Sequence, residues 1–372
     1  MGSVVPLNTP FRQTNREARV AAAIHRFAAT RRRSSDVFWL KENAELIGLI
    51  ESSGVQISQN DLGPHLEFYA EIDKKLAFFP QYYRFFLSLA LDLEDLGLPG
   101  DAGGRAAEWV AEQGLAGAEL NDLQRAEARR LCARRGVNAI PGDEGLDDRL
   151  RNFGSRCETF SLPNKKAAYE LTHIVFYLSE YGRRDPLLPG AFIQSLRFSG
   201  TLAFLELNID LLAEICIALR FAGATPPRIW ENWLTSQARR FVCEAEESGW
   251  MNDDYHPYLM VTWHALICGT GGFGLNIPEG PVAFRAPPNH ATPLRELSEC
   301  MFTLGGKRRT QWSTMRVVLD DMLTESARDV VAKASEVGDF EQFFEGFARV
   351  DKPRITSVTR DCPPERLQEV GG

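Results

Sequence analysis

Residues 165–185, KKAAYELTHIVFYLSEYGRRD, decide how the chain folds, because they place one histidine, His173, inside a run that otherwise reads as buried helix. On a helix, Tyr169, His173, Tyr177 and Tyr181 recur every fourth residue and form one polar-aromatic stripe with Thr172 beside it. Glu170 and His173 spell E-x-x-H, a spacing that presents a carboxylate and an imidazole on one side of a helix, as carboxylate-bridged di-iron bundles require.

The same helical periodicity extends through most of the chain. It predicts helices over 14–33, 36–52, 64–78, 80–96, 104–114 and 117–135, with Gly54, Pro80, Gly97, Pro99 and Gly100 as punctuation. Further helices follow over 164–182, 200–222, 227–247, 257–268, 292–303, 309–336 and 339–349. Alternation of period two is nearly absent, so the expected fold is all-α: a multi-helix bundle or helical array, with two packed helical subdomains as one form of it. Residues 137–163 carry several turn formers and at most one short helix. They are read as a linker between a helical part over 1–136 and another over 164–350, with 351–372 as a mobile tail.

Composition narrows the class. The chain has 372 residues, 44% hydrophobic and 25% charged, and a formal net charge of −8 that offers no field for a phosphate backbone; nucleic acid is not the expected partner. Seven cysteines, widely spaced and without a C-x-x-C pair, fit reduced thiols in a cytoplasmic protein. MGSVVPLNTPFRQ has no export-signal pattern, and the most apolar stretch, 200–223, carries Glu206, Asp210, Glu214 and Arg220, so no membrane span is expected.

That stretch supplies the second half of a candidate site. Glu206, Asp210 and Glu214 repeat every four residues on an otherwise apolar helix, facing either water or a shared cation. NDDYHPY adds Asp253 and His256. The order E-x-x-H, E-x-x-x-D, D-x-x-H matches three of the four ligand sets of a di-iron bundle. For a fourth, only Glu119 or Glu127 is on offer. Pro257 is expected at the first helical position, which makes His256 a cap residue; His264, about 12 Å further along the axis, cannot share its ion. The expected metal ligands are Glu170, His173, Glu206, Asp210 and His256, for iron or another divalent metal, with Tyr177 as the catalytic proton donor. The bland alternatives are a core imidazole at His173 and a solvated acidic face.

Other features read as ordinary structure. GTGGFG, residues 269–274, has the letters of a dinucleotide loop, but Pro278 and Pro281 block the helix that would hold the pyrophosphate, so it reads as a glycine turn. Arg31–Arg32–Arg33 read as a solvated helix end, and Lys165 and Lys166 as exposed lysines. AFFPQYYRFF, residues 77–86, reads as helix-helix core, with Tyr82, Tyr83 and Arg84 available to an interface or ligand wall.

Several blocks, among them DVFWLKENAELIGLI, FFPQYYRFFLSLALDLEDLG, NKKAAYELTHIVFYLSEYGRRDP, DLLAEICIALRFAGATP and FFEGFARV, resemble those of an uncharacterised bacterial family classed as a domain of unknown function. The resemblance runs from Val4 to Val350, implies one evolutionary unit over that span, and carries no activity or catalytic residues with it. The residues themselves point to a helical enzyme or small-molecule-binding protein with a His/carboxylate pocket, metal-dependent in its di-iron-like form. The alternative is a non-catalytic scaffold or regulatory protein-interaction module. The partner is accordingly a small molecule or another protein.

Overall fold

A computed structural model describes residues 15–246 and 253–350; the tail assigned to 351–372, the N-terminal MGSVVPLNTPFRQ and Cys362 lie outside the described residues. Among the described residues the chain forms seventeen α-helices and two short strands, an all-α multi-helix fold. The first seven helices are α1 (Arg16–Ala29), α2 (Val37–Ser52), α3 (Leu66–Ala70), α4 (Ile72–Phe78), α5 (Tyr83–Asp95), α6 (Ala102–Glu112) and α7 (Asp122–Ala133). After α8 (Leu146–Gly154) come α9 (Lys165–Leu178), α10 (Gly190–Leu205), α11 (Ile209–Phe221), α12 (Arg228–Ala238), strand β1 (Val242–Ala245) and α13 (Tyr255–Ile267). Strand β2 (Val282–Arg285) precedes α14 (Pro293–Leu304), α15 (Trp312–Asp320), α16 (Glu325–Ala334) and α17 (Phe340–Phe347).

Local chemistry explains where these helices start. Asp36 caps α2 by accepting from the Phe38 amide, and Asn121, Asn164 and Asn208 do the same for α7, α9 and α11. Every position from Leu211 to Leu219 of α11 is buried, which makes it the central helix: α9, α10, α12 and α13 all pack around it. Glu214 sits in the middle of that run and is therefore carried into the interior.

The stretch expected as one helix over 200–222 is two. Leu207 adopts φ 54° and Asn208 caps a new start, so Glu206 ends α10 while Asp210 opens α11. The continuous acidic stripe is broken there. Residues 227–247 likewise contain α12 and then β1, which pairs antiparallel with β2 in the register Val242↔Arg285. The 309–336 stretch divides at Thr324, the N-cap of α16. Residues 137–163 contain α8 and a 3-10 turn at Cys157–Ser161, with Leu146, Leu150 and Phe160 buried in the same core as both halves.

The arginine run departs from its solvated reading. Arg31 is buried between Glu42 at 2.8 Å and Asp253 at 2.7 Å, donates to the Val282 carbonyl, and lies over the rings of Phe27, Tyr255 and Phe284. Arg32 also reaches Glu42, at 2.6 Å; only Arg33 is exposed. Two carboxylates distant in sequence draw the guanidinium inward, which a local charge count cannot register. The cluster ties α1 and α2 to the strand pair and to the chain entering α13. In the 77–86 stretch the rings divide: Tyr83 and Phe86 are buried, whereas Phe78 and Phe79 are exposed and stack edge-on at 4.7 Å.

Candidate functional site

A cavity of about 690 Å³ opens between α2, α5, α7, α9, α11 and α13. Asp210 and Glu214 enter it from α11, His173 and Tyr177 from α9, His256 from α13 and Glu45 from α2. Donor atoms of Asp210, Glu214 and His256 all lie within 4.8 Å of one another. Phe176, Tyr181 and Trp263 form an aromatic wall, with ring centroids 5.0 to 5.9 Å apart.

His256 reaches the site because α13 begins two residues before Pro257. Proline is tolerated in this first turn, where its missing N–H would have no intrahelical partner. His256 Nδ1 lies 2.8 Å from Asp210 Oδ1, while the Tyr169 hydroxyl donates to Asp210 Oδ2 at 2.6 Å. The Thr172 hydroxyl donates to Glu214 Oε2 at 2.6 Å. His173 Nδ1 is 2.8 Å from the Tyr169 carbonyl and 3.7 Å from Glu214 Oε2. Donation of Nδ1–H to that carbonyl leaves Nε2 as the ring's acceptor.

Electrostatics sets the protonation states. Burial pushes the Glu214 carboxyl up, and the Asp210 charge adds to that against the opposing pull of His173. Burial alone would raise Asp210, but the His256 contact outweighs it and holds the carboxyl below its usual range. Burial opposes the His256 imidazolium, yet Asp210, Glu45 and Glu214 together raise its pKa to about 9. Burial and the Glu127 charge push the Tyr177 phenol well up, so it remains a proton donor.

The other carboxylates considered each have a partner of their own. Glu206 is turned by the α10–α11 break towards Lys165, 2.9 Å away, and does not line this cavity. Glu170 lies at the cavity edge, paired with Lys166 on its own helix at 3.9 Å. Asp253 is committed to Arg31 and to the Phe284 amide. Glu119 accepts from Tyr83, and Glu127 lines the wall but is paired with Arg84. Glu214 was visible as part of the acidic repeat, and its all-apolar flanks, LLAEICIAL, are the signal that it faces inward. Glu45 carried no such signal.

The sequence model of a family described as a domain of unknown function, DUF6902, matches residues 1–350. The chain belongs to DUF6902. No curated protein and no solved structure matches this DUF6902 chain. None of its described helices is long and apolar enough to cross a membrane. A second groove in the DUF6902 chain, about 1150 Å³, passes Arg32, Arg33 and Lys75; among the described residues it gathers no comparable set of donors, and Lys75 is paired with Glu71.

Proposed function

We propose that this chain is a small-molecule enzyme working in the 690 Å³ cavity, with Asp210, Glu214 and His256 holding one divalent cation of the iron or manganese class. The convergence of those three donors at the cavity floor carries the reading. Asp210 and the buried Glu214, one helical turn apart, face one imidazole; with the His256 proton and any held by Glu214 released to solvent, the floor needs a balancing double positive charge. A divalent ion supplies that charge and, when bound, polarises a substrate oxygen or lowers the pKa of bound water. Three ligands suit one ion; the carboxylate-bridged pair of a di-iron centre needs donors that Glu206 and Glu170 do not bring.

The surrounding side chains have roles in the same reading. Tyr169 and Thr172 orient the two carboxylates by hydrogen bonding to one oxygen of each. His173 presents Nε2 to the cavity as a proton acceptor, and Tyr177, edge-on to it at 5.9 Å, is the donor. The aromatic wall selects a substrate with an apolar part beside its polar, ion-binding group. Free thiols at the six described cysteines support a cytoplasmic setting, and the acidic charge supports a partner other than nucleic acid.

Elemental analysis of the purified protein tests the reading. Iron, manganese or zinc near one equivalent, lost in folded His256→Ala, supports it; a folded protein that takes up no metal overturns it. The scaffold reading has one observation in its favour, the exposed Phe78–Phe79 pair beside Lys74 and Lys75.

A further inference from the structure

The lower end of α13 carries a second constellation, separate from the cavity floor and independent of the reading above. His264 in its last turn and Cys268 at its C-cap face Glu231 of α12. Cys268 Sγ lies 3.3 Å from His264 Nε2 and 3.6 Å from Glu231 Oε1, and His264 Nε2 lies 3.5 Å from the same oxygen. The three donors form a nearly equilateral triangle.

We propose that Glu231, His264 and Cys268 form a binding site for a zinc-class divalent cation that clamps α12 to α13. A tetrahedral ion with bonds of about 2.3 Å to sulfur and about 2.0–2.1 Å to nitrogen and oxygen sets its ligands about 3.3–3.5 Å apart. The observed separations, 3.3 to 3.6 Å, match within the tolerance of a small side-chain adjustment. The thiolate, imidazole and carboxylate types are those zinc prefers over magnesium or calcium. The negative end of the α13 dipole adds to the attraction for a cation.

The neighbouring groups permit occupancy. Burial would raise Glu231, but His264 and Arg220 hold its pKa at about 2, so the carboxylate is ionised beforehand. Arg220 donates to Oε1 through two nitrogens, at 2.6 and 2.9 Å, and its charge also reaches the Cys268 thiol; one-third exposed, it swings to solvent to leave the oxygen to the ion. Burial keeps the Cys268 thiol protonated, with a pKa of about 11. Binding therefore transfers the Sγ proton to solvent and forms the S–metal bond with no change of oxidation state. Gly269 and Gly272, with φ of 66° and 107°, turn the chain after Cys268, and Gly272 packs back against Leu266 of α13.

Cobalt(II) added to the metal-depleted full-length protein reads the site through its thiolate-to-metal charge-transfer absorption. The expected result is one equivalent giving that band, its loss in Cys268→Ser, affinity weakened by about tenfold or more in Glu231→Gln, and full retention in Asp210→Asn. No band with folded wild-type protein overturns the proposal, as does a band undiminished in Cys268→Ser. Should Cys268→Ser fail to fold, Glu231→Gln decides: unchanged cobalt affinity there also overturns it.

Discussion

His256 Nδ1 sits 2.8 Å from Asp210 Oδ1, joining the first turn of α13 to the first turn of α11 across the floor of the cavity. Its charge is held in place by three carboxylates, which has a measurable consequence in metal-free protein. The folded pKa of about 9 lies above the unfolded value of 6.5, so the pair's contribution is fully present below pH 6.5 and is lost as pH rises through 9. Allowing for the imidazole's contact with the cavity, it amounts to about 2 kcal/mol. Urea denaturation with chelator is expected to show wild type more stable than His256→Gln at pH 6, with the gap closed by pH 10. An unchanged gap contradicts the pairing.

His65 behaves in the opposite sense. Its Nε2 donates to Asn43 Oδ1 at 2.8 Å, because the Asn43 amide nitrogen is spent on the Phe27 and Trp39 carbonyls; Nδ1 is buried without a partner. Burial depresses the pKa from 6.5 to about 4, so the neutral ring's contribution is complete above pH 6.5 and is lost as pH falls through 4. The loss over that interval is about 3 kcal/mol. His65→Gln keeps a donor for Asn43 and removes the titration, so its stability is expected to fall less between pH 7 and pH 4.5 than that of wild type.

Arg31→Met is expected to cost about 3–5 kcal/mol, because it strands Glu42 and Asp253 as buried carboxylates, Glu42 keeping only Arg32. Since Asp253 is next to the start of α13, the same variant is expected to weaken metal uptake at His256 more than a surface arginine variant does. Thermal melts and metal content on one preparation check both.

Gly154 lies in the 137–163 segment, and a Cβ there meets the ring of Phe192 on α10. Gly154→Ala is therefore expected to destabilise the protein by about 1–3 kcal/mol through overpacking. A linker tolerates the same change, so an unaffected melting temperature indicates that α8 is not packed as described.

The helical class and many helix starts were legible because they depend on neighbours in sequence: Asp36 and Asn164 are capping residues at the right offset from apolar runs. The break at Leu207 was not, since no glycine or proline marks it and a leucine in the left-handed region is held there by packing rather than preference. That single turn decides the fate of the acidic repeat, sending Glu206 to Lys165 and Glu214 to the interior. Arg31 illustrates the same limit: its partners Glu42 and Asp253 become neighbours only when the chain is folded. Pro257 misled the boundary of α13 because proline is acceptable anywhere in a first turn, not only at its first position.

Calorimetric titration of manganese(II) into Cys268→Ser protein, in which the α12–α13 constellation is silenced, tests the cavity-floor ion most directly. One equivalent of binding, abolished by adding Asp210→Asn to a chain that remains folded, is the result expected. Absence of binding in the folded protein, or binding that survives Asp210→Asn and His256→Gln unchanged, contradicts it.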